Sequence, residues 1–193
     1  DDRVVYVTYT KAIEHEGEPA ETVALARGLL DGDRLTEVED IFVAKGLDDG
    51  IAASRILFHP DGTLFMSVGG SYVFAQTGDY AQDPSTHFGK LLRLNDDGTA
   101  AHGNPFVGNP DYLPEIYSMG HRNQLGLAIH PETGELWAAE HSTQGGDEVN
   151  VILAGRNYGW PLVSYGREYT GARVAERPWQ MAMEQPVVLW VPS

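Results

Sequence analysis

Apolar positions along this chain come in short bursts set apart by polar and turn-forming residues. Runs rich in β-branched and aromatic residues fall at 4–9, 22–26, 56–58, 64–68, 91–94, 127–129, 136–139 and 149–153. Gly, Asp, Asn and Pro separate them, and this punctuation predicts strands joined by tight turns. Residues 186–192 predict one more strand. No segment carries a sustained stripe at the 3.6-residue period of a helix.

Two stretches, 56–68 and 127–139, resemble each other and begin 71 residues apart. Each reads strand, His-Pro, an acidic and Gly-containing turn, then strand. Asp61-Gly62 is a hairpin signal, because Gly tolerates positive φ. Repeated antiparallel hairpins point to the four-stranded blades of a β-propeller. The long repeat fits extended loops at 69–88 and 95–119, where propeller sites usually sit. A β-sandwich with two similar hairpins is the plain alternative. The expected fold class is all-β, with roughly three blades in one partial domain spanning 1–193. Three blades do not close a ring of the usual four to eight. The missing blades would come from the rest of the polypeptide or from a second copy. Both ends read as strands and the chain does not begin with Met, as if cut from a longer polypeptide.

Composition narrows the function. The 193 residues are 42% hydrophobic, which supports a packed core. No apolar run approaches the ~18 residues of a membrane helix. The formal charge of −15 argues against nucleic acid or an anionic membrane as main partner. The chain has no cysteine, which excludes disulfides and thiolate metal sites.

Candidate chemistry concentrates between residues 120 and 161. Gly120-His121-Arg122-Asn123-Gln124-Leu125-Gly126 leads into Glu140-His141, Gln144-Gly145-Gly146-Asp147-Glu148 and Asn157-Tyr158-Gly159-Trp160-Pro161. Arg122 offers a planar donor fork for an anionic ligand, against the bland reading of a surface arginine in a turn. Asp147-Glu148 offers hard oxygens suited to Ca²⁺, against that of a solvated acidic turn. His59 and His130 each precede Pro in the repeated turn, where packing is the expected role. His121 and His141 flank the candidate site and stay open.

These residues give the chain its family likeness. From about Ser54 to Val191 it resembles the soluble pyrroloquinoline-quinone (PQQ)-dependent glucose and aldose sugar dehydrogenases, often grouped with sorbosone dehydrogenases. The carrying segments are Ser54-Arg55-Ile56, the 82–90 loop, Asn104-Pro105-Phe106, Tyr117 to Asn123, Glu140-His141, Gly145 to Glu148, Asn157 to Pro161 and Glu184-Gln185-Pro186. Residues 1–50 match only as generic strands. The resemblance implies a six-bladed propeller, with PQQ on its axis and Ca²⁺ bound. It implies oxidation of an aldose to its lactone, with electrons passed to an external acceptor, in a periplasmic or secreted protein. It implies that Arg122, Asn123 and Tyr169 contact the quinone. Glu148, by carboxylate, and Tyr158, by backbone carbonyl, match a calcium site. The family's other metal site uses carbonyls of a Gly-Pro pair that is Ser142-Thr143 here.

The pattern breaks at the general base. The family's catalytic His falls on Ile51, and the Asp that orients it falls on Gly70. The catalytic residue is therefore unassigned, with Asp48, Asp49 or His87 as possible substitutes. Loss of that base favours, as an alternative, a non-catalytic propeller that binds a saccharide or a protein partner. A calcium-dependent lactonase-type hydrolase is a third and weaker reading.

Overall fold

A computed structural model describes residues 3–48, 52–70 and 80–191, and among them it contains eleven strands and no helix. Ile51 and Asp49 lie outside the described residues. The first sheet runs β1 (Val4–His15), β2 (Glu18–Asp31), β3 (Arg34–Val43), in that order. The second runs β4 (Ile56–Phe58), β5 (Leu64–Val68), β6 (Lys90–Leu94), β7 (Ile116–Met119). The third holds β8 (Gln124–Ile129), β9 (Leu136–Glu140), β10 (Asp147–Ile152) and β11 (Val188–Trp190), again side by side in chain order. All pairings within these sheets are antiparallel. The repeated hairpins are thus the first two strands of consecutive four-stranded sheets.

The equivalent turns are built alike. His59 Nδ1 accepts the Asp61 N–H at 3.4 Å, and His130 Nδ1 accepts those of Glu132 and Thr133 at 3.3 and 3.2 Å. Both histidines close turns, as their sequence context suggests. Asp61 also accepts the Thr63 hydroxyl and pairs with Arg93 Nη2 at 2.5 Å. These contacts, that to Thr63 foremost, hold its carboxyl well below the usual carboxylate range.

Alternation along β5 explains the stacking of the sheets. Leu64, Met66 and Val68 pack with Val23, Leu25 and Phe42 of the first sheet, whereas Phe65 packs with Leu136, Ala138 and Ile152 of the third. Along β6, Leu92 and Leu94 face the first sheet and Leu91 the third. Strands β5 and β6 are therefore buried on both faces, which is why β5 reads as an apolar run broken only by Ser67.

Two strands escape the sequence pattern. Residues 34–40 of β3 are all exposed, so that segment shows no buried alternation. It is held by the β2 ladder and by ion pairs of Arg27 with Glu39 (2.8 Å) and Lys11 with Asp40 (2.6 Å). The four-residue β7 is an edge strand inside the segment read as the 95–119 loop.

Lys90, at the start of β6, is fully buried. Its Nζ donates to the carbonyls of Tyr80 (2.5 Å) and Phe88 (2.8 Å). Burial pushes its pKa down to about 7. Between that value and the usual 10.5 the folded protein binds fewer protons than the unfolded chain. Stability due to Lys90 is then lowest near pH 7 and below, and grows as pH rises through this window. Urea unfolding of wild type and Lys90→Met at several pH values checks this. Wild type should gain on the variant by a few kcal/mol toward pH 10, and a constant difference would refute the assignment.

Candidate functional site

The site forms where the chain crosses from the second sheet to the third, at residues 120–123 between β7 and β8. The Gly70 N–H donates to the Arg122 carbonyl, and the Glu140 carboxylate accepts the Arg122 N–H. The segment is therefore tied to both sheets. The Arg122 side chain is 5% exposed. Its Nη1 donates to the carbonyls of His141 (2.8 Å) and Ser142 (2.6 Å). Its guanidinium carbon lies 5.6 Å from the centre of the Trp160 ring, within cation–π range. Its Nε is buried and has no hydrogen-bond partner in the structure. Desolvation lowers its pKa, opposed by Tyr169, Glu140 and Asp147. Tyr169, half exposed on the loop after Trp160, lies close enough to this guanidinium to favour its charged form. The structure thus brings Arg122 and Tyr169 together across 47 positions of sequence.

Asn123 is placed differently. Its Oδ1 accepts the Ala53 N–H at 3.1 Å, and its carbonyl accepts the His141 N–H at 2.9 Å. Its carboxamide oxygen is committed to clamping the crossover onto the second sheet.

Behind Arg122 lies a buried polar network. His121 is 1% exposed and stacks on Tyr158, with ring centres 4.6 Å apart. Its Nε2 is 2.8 Å from Ser118 Oγ, and its Nδ1 is 3.0 Å from Glu140 Oε2 and 3.1 Å from Gln124 Nε2. Glu140 and Glu148 sit directly opposite each other in the β9–β10 ladder. Burial, then the charge of Glu140, pushes the Glu148 pKa up to about 8. Asn150 Nδ2 donates to Glu148 at 3.2 Å, while Asn150 Oδ1 is buried without a partner. A carboxyl raised in this way holds a proton at neutral pH unless a cation takes its place. Oxygen donors of this kind fit a hard ion such as Ca²⁺. Tyr158 supports the network through its hydroxyl, which donates to the Val151 carbonyl (2.6 Å) and accepts the Leu153 N–H (2.9 Å). No group of three or more His, Cys, Asp or Glu arranged to hold a metal occurs among the described residues. A cation here would need amide and carbonyl oxygens as well. At Ser142-Thr143 the fit is poor, since the Ser142 carbonyl already accepts a guanidinium N–H.

His87 is corrected as a candidate base. It is 5% exposed, its Nδ1 accepts the Lys45 N–H at 2.8 Å, and its Nε2 faces Glu115 at 3.2 Å. Both ring nitrogens are used structurally, and burial lowers its pKa. Asp48 Oδ1 accepts the Ala52 N–H at 3.1 Å. Gly70 carries no carboxylate, and an added Cβ would press on the Arg122 carbonyl at 3.1 Å. Glu140 and Trp160 stand in the quoted motifs, yet the sequence alone assigns them no role. A Glu one residue before the His and a Trp after Gly are the available signals.

The comparisons with known proteins agree with this architecture. The family pattern described as Glucose / Sorbosone dehydrogenase matches residues 1–193, so the likeness includes the first fifty residues, whose motifs read only as generic strands. The chain belongs to that family. It is 32% identical to the aldose sugar dehydrogenase YliI of Escherichia coli, over 99% of this chain and 51% of that protein. A crystal structure of a glucose dehydrogenase superposes with a TM-score of 0.91 at 36% identity, covering 99% of this chain and 55% of the other. The PQQ-bound aldose sugar dehydrogenase of Streptomyces coelicolor superposes with a TM-score of 0.71 at 29% identity, covering 98% and 49%. The three sheets are blades of the β-propeller that these sugar dehydrogenases share, and the chain spans about half the length of the relatives it matches. No helix among the described residues is long and apolar enough to cross a membrane.

Proposed function

We propose that the polypeptide to which this chain belongs is a PQQ- and calcium-dependent enzyme. It would oxidise an aldose or related sugar to its lactone and pass the electrons to an external acceptor, in the periplasm or outside the cell. The observation that carries this reading is the desolvated Arg122 guanidinium, with its unpartnered Nε, beside Tyr169. A buried donor without an acceptor is costly unless a ligand completes it. An acceptor-rich anion such as a carboxylated quinone suits that donor in chemistry. Arg122, Tyr169 and Asn123 would hold the quinone, which when bound supplies the acceptor for hydride from the sugar's anomeric carbon.

The chain's own residues prepare that step. The carbonyls of His141 and Ser142 fix the guanidinium plane, and Trp160 covers its face. Arg122 then presents fixed positive charge in a water-poor setting, where it stabilises negative charge developing on a bound oxidant. Tyr169 adds a hydroxyl and a flat face at the open side. Glu140 anchors the Arg122 backbone and orients His121. Glu148, with the Tyr158 carbonyl, is the proposed calcium site.

Absorbance titration of the full-length protein with PQQ and Ca²⁺, followed by a panel of aldoses and a dye acceptor, tests the whole reading. Spectral binding and dye reduction are expected, and the absence of both defeats it. Calcium has a separate test. At a hundredfold excess over Kd, Ca²⁺ should stabilise the metal-free protein by about 2.7 kcal/mol, read as a rise in Tm. Glu148→Gln should remove that rise. A rise that survives the substitution would place the ion elsewhere.

A further inference from the structure

We infer that the loop following Trp160 forms a second ligand site, a cavity that binds a small carboxylate- or phosphate-bearing molecule between Arg167 and Arg173. The cavity measures about 230 Å³, and its walls include Ser164, Tyr165, Arg167, Arg173, Pro178 and Val191. That volume suits a small molecule rather than a polymer.

The two arginines carry the argument. They are direct partners in an antiparallel bridge, so their side chains start from opposed positions. Like charges placed opposite each other destabilise a strand pair. Among the described residues neither arginine forms an ion pair, although the chain has 28 acidic side chains against 13 basic ones. Arg167 Nη1 finds only a neutral acceptor, the Gly171 carbonyl at 3.0 Å. Among the described residues, two guanidinium forks thus stand beside a cavity without a counter-ion. An anion between them turns the repulsion into two charge-assisted hydrogen-bonding sets, and planar forks recognise carboxylate and phosphate oxygens in pairs.

The site is built on fixed backbone. Arg167 and Gln144 exchange both backbone hydrogen bonds, at 2.9 and 3.0 Å. A Cβ on Gly166 would lie 2.5 Å from the Gly145 carbonyl oxygen and 2.9 Å from Ser142 Oγ, so only glycine allows this approach. Arg167 is therefore held against the same 142–146 segment whose Ser142 carbonyl fixes Arg122. Tyr169 lies between the two arginines in sequence and reaches the Arg122 guanidinium. Filling the cavity draws the two arms of the loop together and steadies Tyr169 at the first site. The two sites use different arginines, and this inference does not depend on the quinone reading.

Calorimetry on the full-length protein without quinone provides the test, with inorganic phosphate, glucuronate and uncharged glucose as titrants. Phosphate or glucuronate should bind and glucose should not, and whichever anion binds more tightly identifies the ligand as a phosphate or a carboxylate. Arg173→Gln and Arg167→Gln should each weaken the anion about tenfold or more, the scale of losing charged hydrogen bonds. Arg34→Gln removes one exposed positive charge elsewhere and should change nothing. Arg173→Lys keeps the charge without the fork and should fall between wild type and Arg173→Gln, which guards against a folding artefact. Failure of both anions to bind, or equal affinity in Arg173→Gln and wild type, overturns the inference.

Discussion

Arg122→Gln is expected to lower kcat for quinone-dependent sugar oxidation by about 10²–10³-fold, the scale seen when one preorganised donor to a developing anion is removed. The cause is specific to the guanidinium. In the fold its Nη1 is used twice, by the carbonyls of His141 and Ser142, and its Nε is left over. A glutamine amide has one NH2 group to replace Nη1, but it carries no charge and has no counterpart of the Nε donor. Arg122→Lys should rescue little, because an ammonium is a compact point charge with no planar face to lay against Trp160 and no second nitrogen to take the place of Nε. The measurement is steady-state dye reduction by reconstituted full-length protein, with Tm recorded for each variant. A variant that folds, binds quinone and turns over within threefold of wild type would remove Arg122 from the proposed mechanism.

Legibility in the sequence follows where the physics is local. The hairpins at 56–68 and 127–139 could be read because their strands are short apolar runs and each turn carries His-Pro and a Gly at positive φ. Strand β3 could not, because the stability of 34–40 comes from pairing with β2 and from ion pairs, which a one-dimensional pattern does not show. At the site, the residue types near 120–123 marked chemistry, and resemblance joined Tyr169 to it. The part played by Glu140 was hidden. Its significance lies in a ladder register that sets it opposite Glu148 and within reach of the Arg122 N–H. The same limit applies to His87, a plausible base by composition whose two nitrogens prove to be spent on Lys45 and Glu115.

Gly120→Ala is expected to be among the most damaging single changes to stability, on the order of 4 kcal/mol or more, by forcing atoms into occupied space. Gly120 has φ +76°, and an added Cβ would fall onto Asn157 Oδ1 and lie 2.6 Å from the Gly159 N and 3.0 Å from Gln82 Nε2. None of these neighbours is free to retreat. Asn157 Nδ2 donates to Gln82 Oε1 (2.7 Å), Gln82 Nε2 donates to the Trp160 carbonyl (2.6 Å), and the Gly159 N–H donates to Asn157 Oδ1 (2.9 Å). Gly120 itself donates to the Ala81 carbonyl and accepts from Trp160 at 3.0 and 2.8 Å. The clasp therefore ties three segments together two residues before Arg122, with Trp160 as the wall of the site. Gly134 supplies the comparison, since it has φ +73° and a Cβ added there would meet nothing within 4 Å. Gly134→Ala should cost only backbone strain, about 1 kcal/mol. Urea midpoints of the two variants separate crowding from strain. If Gly120→Ala unfolds at the same urea concentration as Gly134→Ala, the clasp is loose, and the packing argument for how Arg122 and Trp160 are positioned fails with it.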